Sequence, residues 1–189
     1  MDAVHDIKID LTLDRAVTRD VLRALLHAIL FHRLFGTVQP RCIEVLDITF
    51  PGITDSDIER KINDKVDLFW KTIDSSGLST ASPRSGELII TFSEKREKRQ
   101  WFSMTEEYVP WEVWTINTTI RVPRNDKERR EIMDPLPGEL SEILKTILNK
   151  TSSEKGRSVV PPIHSANVIT PFPLSIRVRV SGTDVGGPD

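Results

Sequence analysis

The sequence predicts an α+β domain: a mixed, mostly antiparallel sheet backed by about three helices. Stretches with apolar residues at every second position alternate with stretches where the apolar spacing is three or four. These are the periods of a half-buried strand and of an amphipathic helix. The resulting order, β-α-β-α-β-β-α-β, also places strands next to each other in mid-chain, which favours antiparallel pairing.

The elements follow in turn. Ile7, Ile9, Leu11 and Leu13 recur with period two and predict a first strand. Asp14 then reads as the N-cap of a helix running to about Arg33 and terminated by Gly36. Val17, Val21, Leu25, Ala28, Ile29 and His32 share one side of it, and Leu22, Leu26 and Leu30 widen the stripe, so this helix is covered on much of its circumference. Ile43 to Phe50 predicts one strand, stopped by Pro51-Gly52. Thr54-Asp55-Ser56-Asp57 opens a second helix with the stripe Ile58, Ile62, Val66, Phe69 and Ile73, closed by Gly77.

Leu88 to Phe92 is a third strand, and Trp111 to Val122 a longer fourth with Trp114, Ile116, Thr118, Ile120 and Val122 on one face. Trp111 and Trp114 are three apart and so face opposite sides, leaving one to be covered by helix packing or by a partner. Asn125 or Asp126 caps a short helix interrupted by Pro135 and Pro137, and Glu139 to Leu148 continues it. Residues 151–173 read as irregular, Leu174 to Val180 as a last strand, and Ser181 to Asp189 as a frayed tail.

Composition narrows the function classes. The 189 residues fit one domain, here 1–180 with a flexible tail at 181–189. With 26 Lys+Arg against 28 Asp+Glu, no overall field draws the chain to nucleic acid. The single Cys42 forms no internal disulfide, the N-terminus has no signal-peptide core, and the most apolar stretch, Val21 to Phe35, is too charged to span a bilayer. A cytoplasmic protein is expected. Phosphate-loop, dinucleotide, zinc-protease and hydrolase motifs are absent from the sequence, and His27 and His32 point about 140° apart on a helix. No enzyme, metal or cofactor is expected.

Trp101 and Phe102 are the least expected residues. They follow the charged run Glu94 to Arg99 and precede Glu106-Glu107, in what reads as a connection of about 15 residues. Exposed, they would form a compact interaction hot spot. Folded back, they would be a lid on the core. Lys95, Arg96, Lys98 and Arg99 beside them suggest a membrane-surface contact, peripheral at most; Glu94 and Glu97 dilute that charge.

Three stretches resemble the autophagy-related protein 101 family. They are Arg15 to Val17 with Val21-Leu22, Leu25 to His27, Leu30 to Arg33 and Gly36; Leu46 to Phe50; and Trp101-Phe102 followed by Pro110-Trp111-Glu112-Val113-Trp114-Thr115. The resemblance covers about residues 7–150. It implies a HORMA fold, with residues 151–180 as a belt-like segment. It also implies a non-enzymatic scaffold of autophagy initiation that pairs with the HORMA domain of autophagy-related protein 13. By the same resemblance Trp101 and Phe102 are a finger recruiting downstream autophagy factors to the autophagosome formation site (the preautophagosomal structure). His32 and Arg33 match a heterodimer-interface position. Here the two aromatics are adjacent, whereas other members have one residue between them. The alternative within the same fold is a peptide-capturing switch of the checkpoint and repair type, in which 151–189 remodels.

Overall fold

The computed structural model describes residues 4–100, 103–163 and 170–187; the side chains of 97–100 and 103–105 also lie outside that description. In chain order the elements are β1 (His5–Asp14), α1 (Thr18–Phe31), β2 (Pro40–Val45), β3 (Ile48–Ile53), α2 (Ser56–Ser75), β4 (Arg84–Gln100) and β5 (Ser103–Arg121). Then follow α3 (Asp126–Met133), α4 (Leu136–Ser152), the five-residue α5 (Glu154–Ser158), β6 (Leu174–Val180) and β7 (Thr183–Val185). Five strands form one sheet in the order β1-β5-β4-β6-β7. β1 runs parallel to β5, and the other neighbours are antiparallel. The expected mixed, mostly antiparallel sheet is therefore present, and the described residues include four helices and a short fifth, where about three helices were expected.

Helix α1 is the centre of the core. Val21, Leu22, Leu25, Leu26, Ile29 and Leu30 are fully or almost fully buried, because the helix lies among the β2–β3 hairpin, α2 and α4. The alternating residues Ile7, Ile9, Leu11 and Leu13 of β1, with Trp114, Ile116 and Ile120 of β5, supply the buried face of the sheet. The stripe of α2 is buried at all five expected positions. Its start is capped by the Asp55 carboxylate, which accepts from the Asp57 and Ile58 amides, and Gly77 at φ 89° closes it.

Several elements differ from the sequence reading, each for a local reason. The single strand expected over Ile43 to Phe50 is a hairpin. Leu46 and Asp47 both take positive φ, 51° and 62°, and make a two-residue turn between β2 and β3. Leu46 packs partly buried on the core, which offsets the unfavourable backbone. Pro51 and Gly52 do not stop the strand but belong to β3. Asp14 does not cap α1: its carboxylate accepts the Ala16 amide in a tight turn, and the helix starts at Thr18. Residues 151–173 are not wholly irregular, since α4 reaches Ser152 and α5 follows. Past Val180 the chain turns and adds β7 to the sheet.

The largest difference concerns the connection expected after Phe92. Its charged run is strand. β4 and β5 pair without interruption from Ser93↔Pro110 to Gln100↔Ser103, an antiparallel arm extending beyond the rest of the sheet. At its root the register shifts between Phe92↔Glu112 and Ser93↔Pro110, so Trp111 is the extra residue of a β-bulge. The bulge lets both Trp111 and Trp114 join the core, which removes the need for a separate cover.

Candidate functional site

Two places in the fold gather the residues singled out above: the β4–β5 arm, and a buried charge cluster at its root. Trp101 and Phe102 lie outside the described residues. Their bracketing neighbours Gln100 and Ser103 are paired in the ladder. Lys95 is exposed and reaches diagonally across the arm to Glu106 at 2.7 Å, and Arg96 pairs with Glu94 at 2.6 Å. Both cations are thus matched by carboxylates on the arm itself. Lys98 and Arg99 take ladder positions opposite Thr105 and Met104.

The cluster at the root is built around Glu112, whose side chain is fully buried. Its Oε1 accepts from Arg33 Nε at 2.7 Å and Trp114 Nε1 at 2.6 Å. Its Oε2 accepts from Arg33 Nη2 at 2.5 Å and faces His5 Nδ1 at 3.0 Å. A carboxylate only accepts, so His5 Nδ1 carries the proton in this contact. Glu112 is held by four donors and has no oxygen free to serve as a base. The bidentate guanidinium contact is the strong form of this pair, and desolvation makes leaving either charge alone expensive.

Arg33 also spans outward from this pair. Its Nη2 donates to the Gly156 carbonyl at 3.0 Å, and its Cζ stands 5.6 Å from the centre of the Trp111 ring. The ring is held in turn by Phe92 and Phe172, at centroid distances of 5.6 and 5.2 Å. Arg33, expected at a heterodimer interface, is 3% exposed and turned into this chain's own interior. His32 beside it is partly exposed and forms the C-cap of α1. Burial, and then the Arg33 charge, hold its pKa below the ordinary histidine value.

Between the arm and residues 158–162 lies a cleft of about 550 Å³ lined by Val109, Pro110, Trp111, Val160, Pro161 and Pro162, among others. Its lining mixes these apolar residues with Glu94, Arg96 and Ser158, and includes no histidine or cysteine. Among the described residues no group of three or more His, Cys, Asp or Glu side chains converges as a metal site would. His27 is buried on α1, with the Ile53 amide at 3.4 Å from Nδ1 and Arg41 at 3.2 Å from Nε2. Burial, and then the Arg41 charge, lower its pKa to about 4, so it is a neutral core group. No helix among the described residues is long and apolar enough to cross a membrane.

Glu112 is the residue the sequence reading passed over. The signal was present: a glutamate two residues before Trp114, on the inward parity of an apolar strand, calls for a buried cationic partner. Gly156 was missed for a different reason, because only the folded approach of α5 to α4 shows why no side chain fits there.

Comparison with known proteins agrees with the residue patterns. A family model described as Autophagy-related protein 101 matches residues 10–167. Among curated proteins, Autophagy-related protein 101 of Schizosaccharomyces pombe is 34% identical over 90 residues, 48% of this chain and 46% of that protein. The Arabidopsis thaliana protein of the same name is 27% identical over 167 residues, covering 77% and 74%. The Homo sapiens one is 26% identical over 95 residues, covering 50% and 40%. The match thus spans less than half the length of the fission yeast and human proteins.

Proposed function

Because the chain belongs to the autophagy-related protein 101 family, we propose that it acts in autophagy as a non-enzymatic adaptor. In this reading it is a HORMA domain that pairs with and stabilises the HORMA domain of autophagy-related protein 13. It works in the cytoplasm, at the site where autophagosomes form. Trp101 and Phe102 then present an aromatic finger to downstream factors.

The observation that carries the reading is the β4–β5 arm. Its ladder continues to Gln100 and Ser103, on either side of the aromatic pair in sequence, well past the last pairing with a neighbouring strand. An adaptor needs a contact element held away from its own core, and a register-locked ribbon supplies one. The filled coordination of Glu112 fits the same non-catalytic role.

The test is to mix the purified chain with the HORMA domain of autophagy-related protein 13 and measure mass by light scattering during size-exclusion chromatography. A one-to-one complex is expected. Separate elution of the two proteins across a concentration series would overturn the pairing and leave the fold intact.

A further inference from the structure

We propose that Thr80 is a phosphorylation site whose phosphate docks on Arg121 and Arg124 and ties the turn after α2 to the junction of β5 and α3. The site lies at the end of the sheet away from the arm, since β5 runs from Ser103 in the arm to Arg121.

The acceptor hydroxyl is presented by a tight turn. The Ser79 amide donates to the Ser82 carbonyl at 3.4 Å and the Ser82 amide to the Ser79 carbonyl at 3.2 Å, which leaves Thr80 and Ala81 at the tip. Thr80 is exposed, and its hydroxyl makes no hydrogen bond among the described residues. Beside the turn is a hollow of about 120 Å³, with Ser79, Thr80 and Pro83 from the turn and Arg121, Arg124 and Glu128 from the β5–α3 junction in its lining. That is several times the ~30 Å³ share of one water, enough for the four heavy atoms of a phosphoryl group.

The charges around the hollow are unbalanced. Arg121 and Arg124 are exposed, and among the described residues neither guanidinium has an acceptor. Arg15, Arg41, Arg60 and Arg177, by contrast, each pair with a carboxylate. Arg84, at the base of the same turn, also has a buried Nε without an acceptor. On the negative side Glu128 is tethered, its Oε2 accepting the Arg124 main-chain amide at 2.9 Å, and Asp74 near the end of α2 is held by Arg15. A phosphate ester, with a charge near −2 and three acceptor oxygens, supplies what the two free guanidinium forks lack.

The chemistry is ordinary phosphoryl transfer from ATP by a protein kinase. The Thr80 oxygen attacks the γ-phosphorus, the O–P bond forms as the bond to the β–γ bridging oxygen breaks, ADP leaves, and the hydroxyl proton passes to the kinase's base. The docked phosphate then joins the connection after α2 to the start of α3. It touches neither the arm nor the Glu112 cluster, so this end of the sheet changes its surface without a change of fold.

The experiment uses the full chain with phosphothreonine incorporated at position 80 during translation. Amides of residues 79–83 should exchange at least about threefold slower than in the unmodified chain. The phosphate should titrate about half a pH unit below phosphothreonine in a short peptide, read by phosphorus NMR. Both effects should vanish in Arg121→Gln with Arg124→Gln and deepen in Glu128→Gln; the arginines are exposed, so folding is retained. Equal effects with and without the two arginines, or none in the phosphorylated chain, would overturn the docking. Peptide mass spectrometry of the chain recovered from cells that make it should find phosphate on Thr80, and its absence in both growing and starved cells would overturn the modification. So would slowed exchange of residues 79–83 when millimolar inorganic phosphate is added to the unmodified chain, which would assign the hollow to a free anion.

Discussion

The two halves of the β4–β5 hairpin are one ladder in two environments. In the body, β4 lies between β5 and β6, and β5 between β4 and β1. There Leu88, Ile90 and Phe92 of β4, and Trp114, Ile116 and Ile120 of β5, are buried. Pairing with β6 ends at Phe92↔Leu174 and pairing with β1 begins at His5↔Glu112. Beyond those points the arm pairs with itself, Tyr108 is 55% exposed, and Lys95 forms a cross-strand ion pair with Glu106. A one-residue slip would turn the buried set of the body outward, so burial fixes the register there. The ladder carries that register along the arm, with the bulge at Trp111 as the junction. Stability therefore resides in one half of the hairpin, while the other half is free to carry contact residues.

Truncating a body residue should show this most strongly. Trp114 is fully buried and its indole N–H is bonded to Glu112. Trp114→Ala should lower the unfolding free energy by about 4 kcal/mol and the melting temperature by roughly 10 °C, read by urea and thermal unfolding. A loss under about 1 kcal/mol would mean that the body does not set the hairpin.

The next effect is one of pH and belongs to the body alone. His27 has its pKa lowered from 6.5 to about 4 in the fold. Between those values the unfolded chain binds the proton and the folded chain does not. Stability from this group is therefore full above pH 6.5 and is lost as pH falls toward 4. The loss is on the order of 3 kcal/mol, and His27→Gln should flatten that part of the stability profile. An unchanged slope in the variant would place the titration elsewhere.

Much of the body was legible in the sequence, because burial writes a period. The stripe of α2 and the alternation of β1 appear in the structure at the positions expected of them. The arm was hidden because Glu94 to Arg99 carries no apolar alternation; its strand character comes from main-chain pairing alone. The Leu46-Asp47 turn was hidden because its residues are not those that favour positive φ, and only packing of Leu46 on the core supports them. The ion cluster was half visible: Glu112 is conspicuous at an inward strand position, but its partner stands 79 residues away, at the end of α1. Nothing local in a sequence announces such a pairing.

A smaller effect tests how tightly the body is packed around β4. An added Cβ at Gly86 would come within 2.6 Å of Phe69 Cε2 and 3.2 Å of the Arg179 carbonyl. Phe69 is fully buried, so it has little room to give. Gly86→Ala should cost about 2 kcal/mol by overpacking, despite the usual gain from stiffening the unfolded chain. A neutral or stabilising outcome in chemical denaturation would show that the contact between α2 and β4 is looser than the burial of Phe69 implies.

The smallest expected change in stability sharpens the comparison most. If the arm carries contact residues and no core, replacing Trp101 and Phe102 together by Ala should leave the melting temperature within about 2 °C, since exposed side chains away from special features contribute little. The same variant should still form the one-to-one complex of the proposed adaptor but lose recruitment of downstream factors. Stability and function would then separate along a single pair of strands, with Trp111 at the boundary. A drop of more than about 5 °C would instead place those two aromatics on the core side, as a lid, and the recruiting element would have to be sought elsewhere on the arm. Exposed Tyr108 would then be the first residue to replace.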